Sequence, residues 1–268
     1  VFIKENEYVA TKKGENDNMI SNNVSNQMIA QTIKISNPLI EQEAMTKGEI
    51  WIKACQDRID KGMSLNCLLL GEPGSGKSWA SLKLAELMDM SEDGFSHERI
   101  VFGTKDFMMA IKKAKKGQAI IYEEVGVNWS SRQWYKQFGQ NALLQTIRYK
   151  NLFFIMNCPN IKFLDKQASS LVHYTFQMKS INQSEKFSVM RPIRLETDGQ
   201  MGITKQQYPL IDGVLIPEIK VTAPSVKLRN KYEKLAKAYK DGLNADLLAQ
   251  ELANEKAEMI SRGIAKNA

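Results

Sequence analysis

Histidine and cysteine are scarce in this chain of 268 residues, which holds two of the first and three of the second. The histidines, His97 and His173, are too few for a histidine-based zinc site. Cys55, Cys67 and Cys158 are far apart, odd in number and without metal-ligand spacing, so they read as reduced thiols of an intracellular protein. No apolar run reaches the ~18 residues of a membrane span, and the N-terminal stretch has no charged-then-apolar leader pattern. A soluble, cytoplasmic chain without a membrane partner is therefore expected. Internal repeats are also missing. Acidic residues are outnumbered, 30 against 37 basic ones, for a net charge of +7. Such a balance permits a nucleic-acid partner without demonstrating one.

What is present is an ordinary apolar fraction of 43% and a pattern of short apolar runs alternating with amphipathic stretches. SLNCLLL (64–70), ERIVFG (98–103), QAIIYEE (118–124), LFFIMN (152–157) and HYTFQMK (173–179) read as strands. Helices are predicted over 38–62, from Lys77 to Met88, over 106–117, through SRQWYKQFGQNALLQTIRYKN, and over IKFLDKQASSLV. This alternation from 64 to 179 argues an α/β fold, a parallel sheet sandwiched by helices. Beyond 180 the period changes: SEKFSVMRPIRLE and GVLIPEIKVT alternate like strands, and from Ser225 the chain reads as helix, with Gly242 as a possible break. The expected organisation is a flexible arm over 1–27, a core over 28–180 that opens with the short strand MIAQTIKIS, a β-rich extension over 181–224, and a C-terminal helical segment over 225–268.

Between the first strand and its helix stands GEPGSGKS: Gly71, Glu72, Pro73, Gly74, Ser75, Gly76, Lys77 and Ser78. It matches G-x-x-x-x-G-K-[ST] in the strand–loop–helix setting that a phosphate-binding P-loop requires. The glycines let the backbone fold around a phosphate, and the N–H groups of the loop and of the helix start, through Trp79, point inward. Lys77 would reach the β- and γ-phosphates and Ser78 would hold Mg²⁺. ATP and Mg²⁺ are thus the expected cofactors.

Glu123 and Glu124 follow the apolar AIIY at the tip of a strand expected beside the P-loop strand, the Walker B position. Glu123 is expected to support Mg²⁺ and Glu124 to polarise the attacking water. Asn157 closes the next strand at the same edge; it either contacts the γ-phosphate or orients water, or simply starts the turn into Cys158-Pro159-Asn160. Arg132, Arg148, Arg191 and Arg194 are candidates for an arginine that completes a neighbouring subunit's site, or else surface residues. Lysines crowd two helix ends, Lys112 to Lys116 and Lys227 to Lys240; these are solvated faces or phosphate contacts. Trp129 and Trp134 flank the acid pair and either pack the domain or stack on bases.

GEPGSGKS, IIYEEVGVNW and LLQTIRYKNLFFIMNCPNIKFLDKQASSLVHYTFQM together resemble the additional-strand catalytic-Glu P-loop ATPases. Within them the chain looks most like the HerA/FtsK lineage, which includes viral genome-packaging and zonular-occludens-toxin-like ATPases. The resemblance covers less than half the chain. Met156-Asn157 stands where that lineage usually has Thr-Gln, a departure toward AAA+ ATPases, and Glu-Glu stands where many relatives have Asp-Glu. The resemblance implies a homo-oligomer, often a hexameric ring, that translocates DNA at the expense of ATP, and it makes Arg148, which matches the arginine at the end of the helix after the acid pair, the first choice among those arginines. Alternatives are an AAA+ helicase loader or replication initiator, and a nucleotide-gated scaffold that hydrolyses slowly. Leu228, Tyr232, Leu235 and Tyr239, then Leu243, Leu247, Leu248 and Leu252, suit docking of the C-terminal helix on the body, on a neighbouring subunit or on a protein partner.

Overall fold

The computed structural model describes residues 45–123, 147–164, 169–200 and 203–261. The expected N-terminal arm, the strand over 28–36, Glu124, Arg132, Trp129 and Trp134 lie outside the described residues. Ten strands are described: β1 (Leu65–Leu70), β2 (Ile100–Val101), β3 (Ala119–Tyr122), β4 (Phe153–Cys158), β5 (Tyr174–Asn182), β6 (Phe187–Thr197), β7 (Thr204–Gln207), β8 (Leu210–Ile211), β9 (Val214–Leu215) and β10 (Ile219–Thr222). The longer helices are α1 (Lys47–Asp60), α2 (Lys77–Met88), α3 (Thr104–Lys113) and α4 (Val226–Ser261).

Five strands run parallel in the order β5-β1-β4-β3-β2. β4 therefore lies between the P-loop strand and the strand that ends in Glu123, a correction to the expected adjacency. The sequence order of strands does not reveal this insertion, because β4 returns to the centre after β3 has formed its outer neighbour. The sheet does not stop at β5: β6 pairs antiparallel with it, and β7 and β10 pair antiparallel with β6. β6, β7 and β10 of the stretch expected as a β-rich extension thus continue the same sheet, while β8 and β9 pair as a separate two-stranded sheet. It is a P-loop NTPase fold: a mainly parallel sheet, covered on both faces, with the glycine loop leaving β1.

Alternating side chains build the two faces, as the strand period of two requires. Leu65, Cys67 and Leu69 of β1, Ala119 and Ile121 of β3, and Phe153 and Ile155 of β4 join one core with Trp51, Leu82, Leu84 and Leu228 from α1, α2 and α4. Leu68, Ile120, Tyr122, Phe154 and Met156 face the other side and meet Phe107 and Ile111 of α3. Near-continuous apolar runs mark strands that are buried on both faces. All three cysteines are buried, and loss of solvent raises each thiol above its ordinary value.

Local chemistry sets the ends of the elements. The first described helix starts at Lys47, where Thr46 and Glu49 form a reciprocal capping box; the part of the expected helix over 38–44 is outside the described residues. At the C-terminus of α3 the carbonyls of Ile111, Lys112 and Ala114 accept from Lys150 Nζ at 2.7–2.8 Å. A lysine from a distant segment therefore neutralises that helix end, in addition to the local Lys112 and Lys113. Of the helix expected over IKFLDKQASSLV, the start is a 3-10 turn at Ile161–Phe163 capped by Asn160, Ser169 and Ser170 are helical, and residues 165–168 between them lie outside the described residues. α4 runs unbroken through Gly242, where a break was open. A helical glycine costs only ~1 kcal/mol, too little to interrupt a helix of 36 residues.

His173 precedes β5, and its Nδ1 accepts the Asn66 N–H at 3.0 Å. Burial first, then Arg58 and Arg194, lower its pKa from 6.5 to about 4. Because the folded state favours neutral imidazole, the unfolded chain binds more protons between these values. The stabilisation is whole above pH 6.5 and is lost as pH falls toward 4, a difference of roughly 3 kcal/mol. Urea unfolding at pH 7.5 and pH 4.5 should show a smaller acid loss in His173→Asn, which keeps an acceptor and cannot charge. Identical losses in the two proteins would refute this origin.

Candidate nucleotide site

The loop begins where β1 ends. An added Cβ at Gly71 would stand 2.7 Å from Ser75 Oγ and 3.2 Å from Met178 Cβ, so only glycine lets the turn close beneath β5. A register shift in β5 between Met178 and Ser180 re-aims that strand just beside the loop. Gly76 then adopts the left-handed conformation, φ 86°, and caps α2 with no side-chain bond. The helix-start N–H groups at Ser78 and Trp79 lie beyond the reach of the intrahelical ladder and suit an anion in the loop. Glu72 accepts the Ser75 N–H at 3.1 Å and so sets the turn. Lys77 Nζ donates to the carbonyls of Gly71 and Glu72 at 2.6 and 2.7 Å, which lays its ammonium across the loop. Pro73 and Gly74 form the exposed crown of the turn.

The three parallel strand ends bring the acid and the amide together. Asn157 stands opposite Leu69 in register, and Met156 opposite Tyr122, so Asn157 reaches Glu123 just past the end of β3. Asn157 Nδ2 donates to Glu123 Oε1 and to Ser81 Oγ, both at 2.8 Å. Ser78 Oγ donates to Glu123 Oε2 at 3.3 Å, and Ser81 Oγ donates to the Ser78 carbonyl at 2.9 Å. Glu123, Asn157 and Ser81 are each buried to 2% exposure or less, while the Glu123 N–H is held by the Val101 carbonyl. A buried carboxylate is tolerated because hydroxyl and amide donors replace water around it.

Two polar atoms of this region stand out: Ser75 Oγ and Asn157 Oδ1 are buried without a hydrogen-bond partner among the described residues. Buried groups of that kind call for an explanation, and a ligand is one. The donor set suits a phosphate at the loop. The Ser78 hydroxyl beside the Glu123 carboxylate is a pair of hard oxygens of the sort that Mg²⁺ takes.

Ser81 was not foreseen. Its only signal was the i, i+3 serine spacing with Ser78 on one helix face. Arg148 is not part of this cluster. It is exposed, precedes β4 and bonds through its carbonyl to the Asn151 N–H, at the edge where the parallel strands begin. Asn157 lies at the other end of β4, about 17–20 Å along a strand of that length.

A cleft of about 470 Å³ opens from the loop at Gly74–Trp79. Its other walls come from the β5–β6 turn, from Thr222 and Ala223 at the end of β10, and from Arg229 and Tyr232 of α4. More than a hundred residues separate these walls from the loop, which hid them from any local reading.

No family model matches the chain, and no curated protein matches it. Solved structures do. The N-terminal domain of zonular occludens toxin from Neisseria meningitidis is 18% identical with a TM-score of 0.36, over 56% of this chain and 95% of that one. The flagellar accessory protein FlaH from Methanocaldococcus jannaschii is 10% identical with a TM-score of 0.28, over 58% of this chain and 96% of that one. The genome packaging NTPase B204 from Sulfolobus turreted icosahedral virus 2, solved with AMPPCP, is 12% identical with a TM-score of 0.29, over 56% of this chain and 99% of that one. The P-loop NTPase fold of this chain rests on its own strand order and on the loop that leaves β1.

Proposed function

We propose that this protein is an ATP-hydrolysing motor of the HerA/FtsK kind that acts on DNA as a ring of identical subunits. The observation that carries the hydrolytic part is the Ser78–Glu123–Asn157 cluster, with Glu123 and Asn157 buried, at the strand ends facing the loop. Lys77 and the N–H groups of α2 hold the β- and γ-phosphates, and Ser75 Oγ donates to a phosphate oxygen. Ser78 and Glu123 would hold Mg²⁺, whose charge, when bound, neutralises the phosphate oxygens. Glu124 takes the proton of a water that adds to the γ-phosphorus as the bond to the ADP oxygen breaks. Asn157 Oδ1, a buried acceptor without a partner among the described residues, accepts a hydrogen from that water and fixes its approach.

Two features support the ring and the DNA. Arg148, exposed at the far edge of its own sheet, serves a neighbouring copy's nucleotide in this reading. Lys227, Lys231, Lys234, Lys237 and Lys240 form an exposed basic run along the first half of α4, suited to phosphate backbone. A AAA+ loader would place a helical lid after the core; here antiparallel β6 follows β5 instead.

The test is ATP hydrolysis by the purified protein, alone and with double- or single-stranded DNA. Turnover is expected to rise with DNA and to be abolished by Lys77→Ala and by Glu124→Gln. Turnover indifferent to DNA would remove the DNA assignment, and no turnover under any condition would remove the enzymatic one.

A further inference from the structure

We propose that the cleft beside the loop is the seat of the nucleoside half of a purine nucleotide, closed on one side by the first two turns of α4. This rests on the reading of the loop as a triphosphate site and goes beyond it by assigning the residues that hold the base and ribose.

Three observations converge. The first is continuity: Gly74, Gly76, Lys77, Ser78 and Trp79 line both the loop and the cleft, so a group in the cleft lies within covalent reach of phosphates in the loop. Its volume of about 470 Å³ falls within the ~300–1,000 Å³ of small-molecule sites.

The second is the make-up of the walls. Ile181, Phe187, Trp79 and Tyr232 give it apolar and aromatic surface suited to the face of a two-ring base. Cations hold two of these rings: the Arg229 guanidinium, itself part of the wall, lies 5.1 Å from the Trp79 ring centre, and Lys220 Nζ lies 3.6 Å from that of Phe187. Tyr232 is set by its stack on Phe102, with ring centres 6.4 Å apart.

The third is the polar group that the cleft presents. Asn182 Oδ1 accepts from the Glu185 N–H at 2.9 Å and from Ser184 Oγ at 2.7 Å. The turn thus engages the carbonyl and leaves the amide NH₂ as the donor available to a ligand. A purine ring offers nitrogen acceptors to such a donor. α4 contributes Arg229 and Tyr232 to this wall while Leu228 is buried in the core, and Ser225, just before the helix, donates its N–H to Glu86 of α2 at 3.1 Å. Occupancy of the cleft therefore acts on the root of the C-terminal helix.

Binding of ATP and of inorganic tripolyphosphate, measured side by side by calorimetry, separates the two halves of the site. Asn182→Asp keeps the turn's oxygen acceptor and removes the donor; Tyr232→Ala removes ring surface. Each is expected to weaken ATP about tenfold and to leave tripolyphosphate unchanged, whereas Lys77→Ala should weaken both. If Tyr232→Ala does not fold, Asn182→Asp, in an exposed turn, decides alone. ATP affinity unaltered in these variants, or ATP and tripolyphosphate weakened equally, overturns the inference while the loop reading stands. Binding of neither ligand by the wild type, or full binding by Lys77→Ala, overturns both.

Discussion

Replacing Asn157 with leucine is expected to lower ATP turnover by roughly 100-fold while leaving the fold intact. Leucine keeps the branched shape and the number of side-chain heavy atoms of asparagine, with bulkier methyl groups in place of the amide oxygen and nitrogen. What goes is the amide that donates to both of them at 2.8 Å. A hydrogen bond to a charged group is worth about 1.5–3 kcal/mol, and the buried carboxylate is left with fewer donors. Converted at about 1.4 kcal/mol per factor of ten, that is a loss of one to two decades, deepened by loss of the Oδ1 acceptor in the hydrolytic step. The companion variant Asn157→Asp sharpens the test. It puts a second carboxylate against buried Glu123, and two such groups cannot both ionise there. Turnover by Asn157→Asp should therefore be poorest at neutral and alkaline pH and recover partly in mild acid, while Asn157→Leu shows no such recovery. Steady-state rates of both variants across pH 5.5–8.5 are the measurement. Wild-type turnover in Asn157→Leu would confine the residue to its structural bonds.

Trp51→Ala should cost the most stability of any single change, about 3–5 kcal/mol. The ring is fully buried and meets Tyr174 and Phe176 of β5 edge-on, with ring centres 5.4 and 5.1 Å apart. It is the main bond between α1 and the strand that carries the β5–β6 turn. Against a total stability of about 5–15 kcal/mol, such a loss moves the urea midpoint far down. Trp51→Phe should cost much less, about 1 kcal/mol. Indole Nε1 has no hydrogen-bond partner among the described residues, so phenylalanine removes an unsatisfied donor along with some volume. Equal losses in the two variants would show that Nε1 is satisfied in solution.

The centre of the sheet was legible because strands buried on both faces must be continuously apolar: CLLL, AIIY and FFIM admit little else. The loop was legible because its chemistry requires glycine at fixed offsets. Spatial order was not. That β4 enters between β1 and β3, and that β6 turns back antiparallel onto β5, is decided by long-range packing that no local period encodes. The stretch IKFLDKQASSLV opens on a 3-10 turn that Asn160 caps and is helical at Ser169 and Ser170, so a local cap that the helical pattern does not show sets its start. Ser81 and Asn182 stayed hidden for different reasons. The first is one serine in an ordinary helical stretch, and the second matters only because β5 and α4 fold against the loop.

The burial of Cys55, Cys67 and Cys158 has an experimental consequence. With each thiol shielded and held in its protonated form, alkylating reagents meet no thiolate until the fold opens. Their rate of reaction becomes a clock of opening, with one hand at the centre of the sheet on Cys67 and another at the tip of β4 on Cys158, next to Asn157. A cysteine introduced on the exposed second half of α4 would carry a fluorophore or spin label over a silent background. That helix can thus be labelled without first removing the protein's own cysteines.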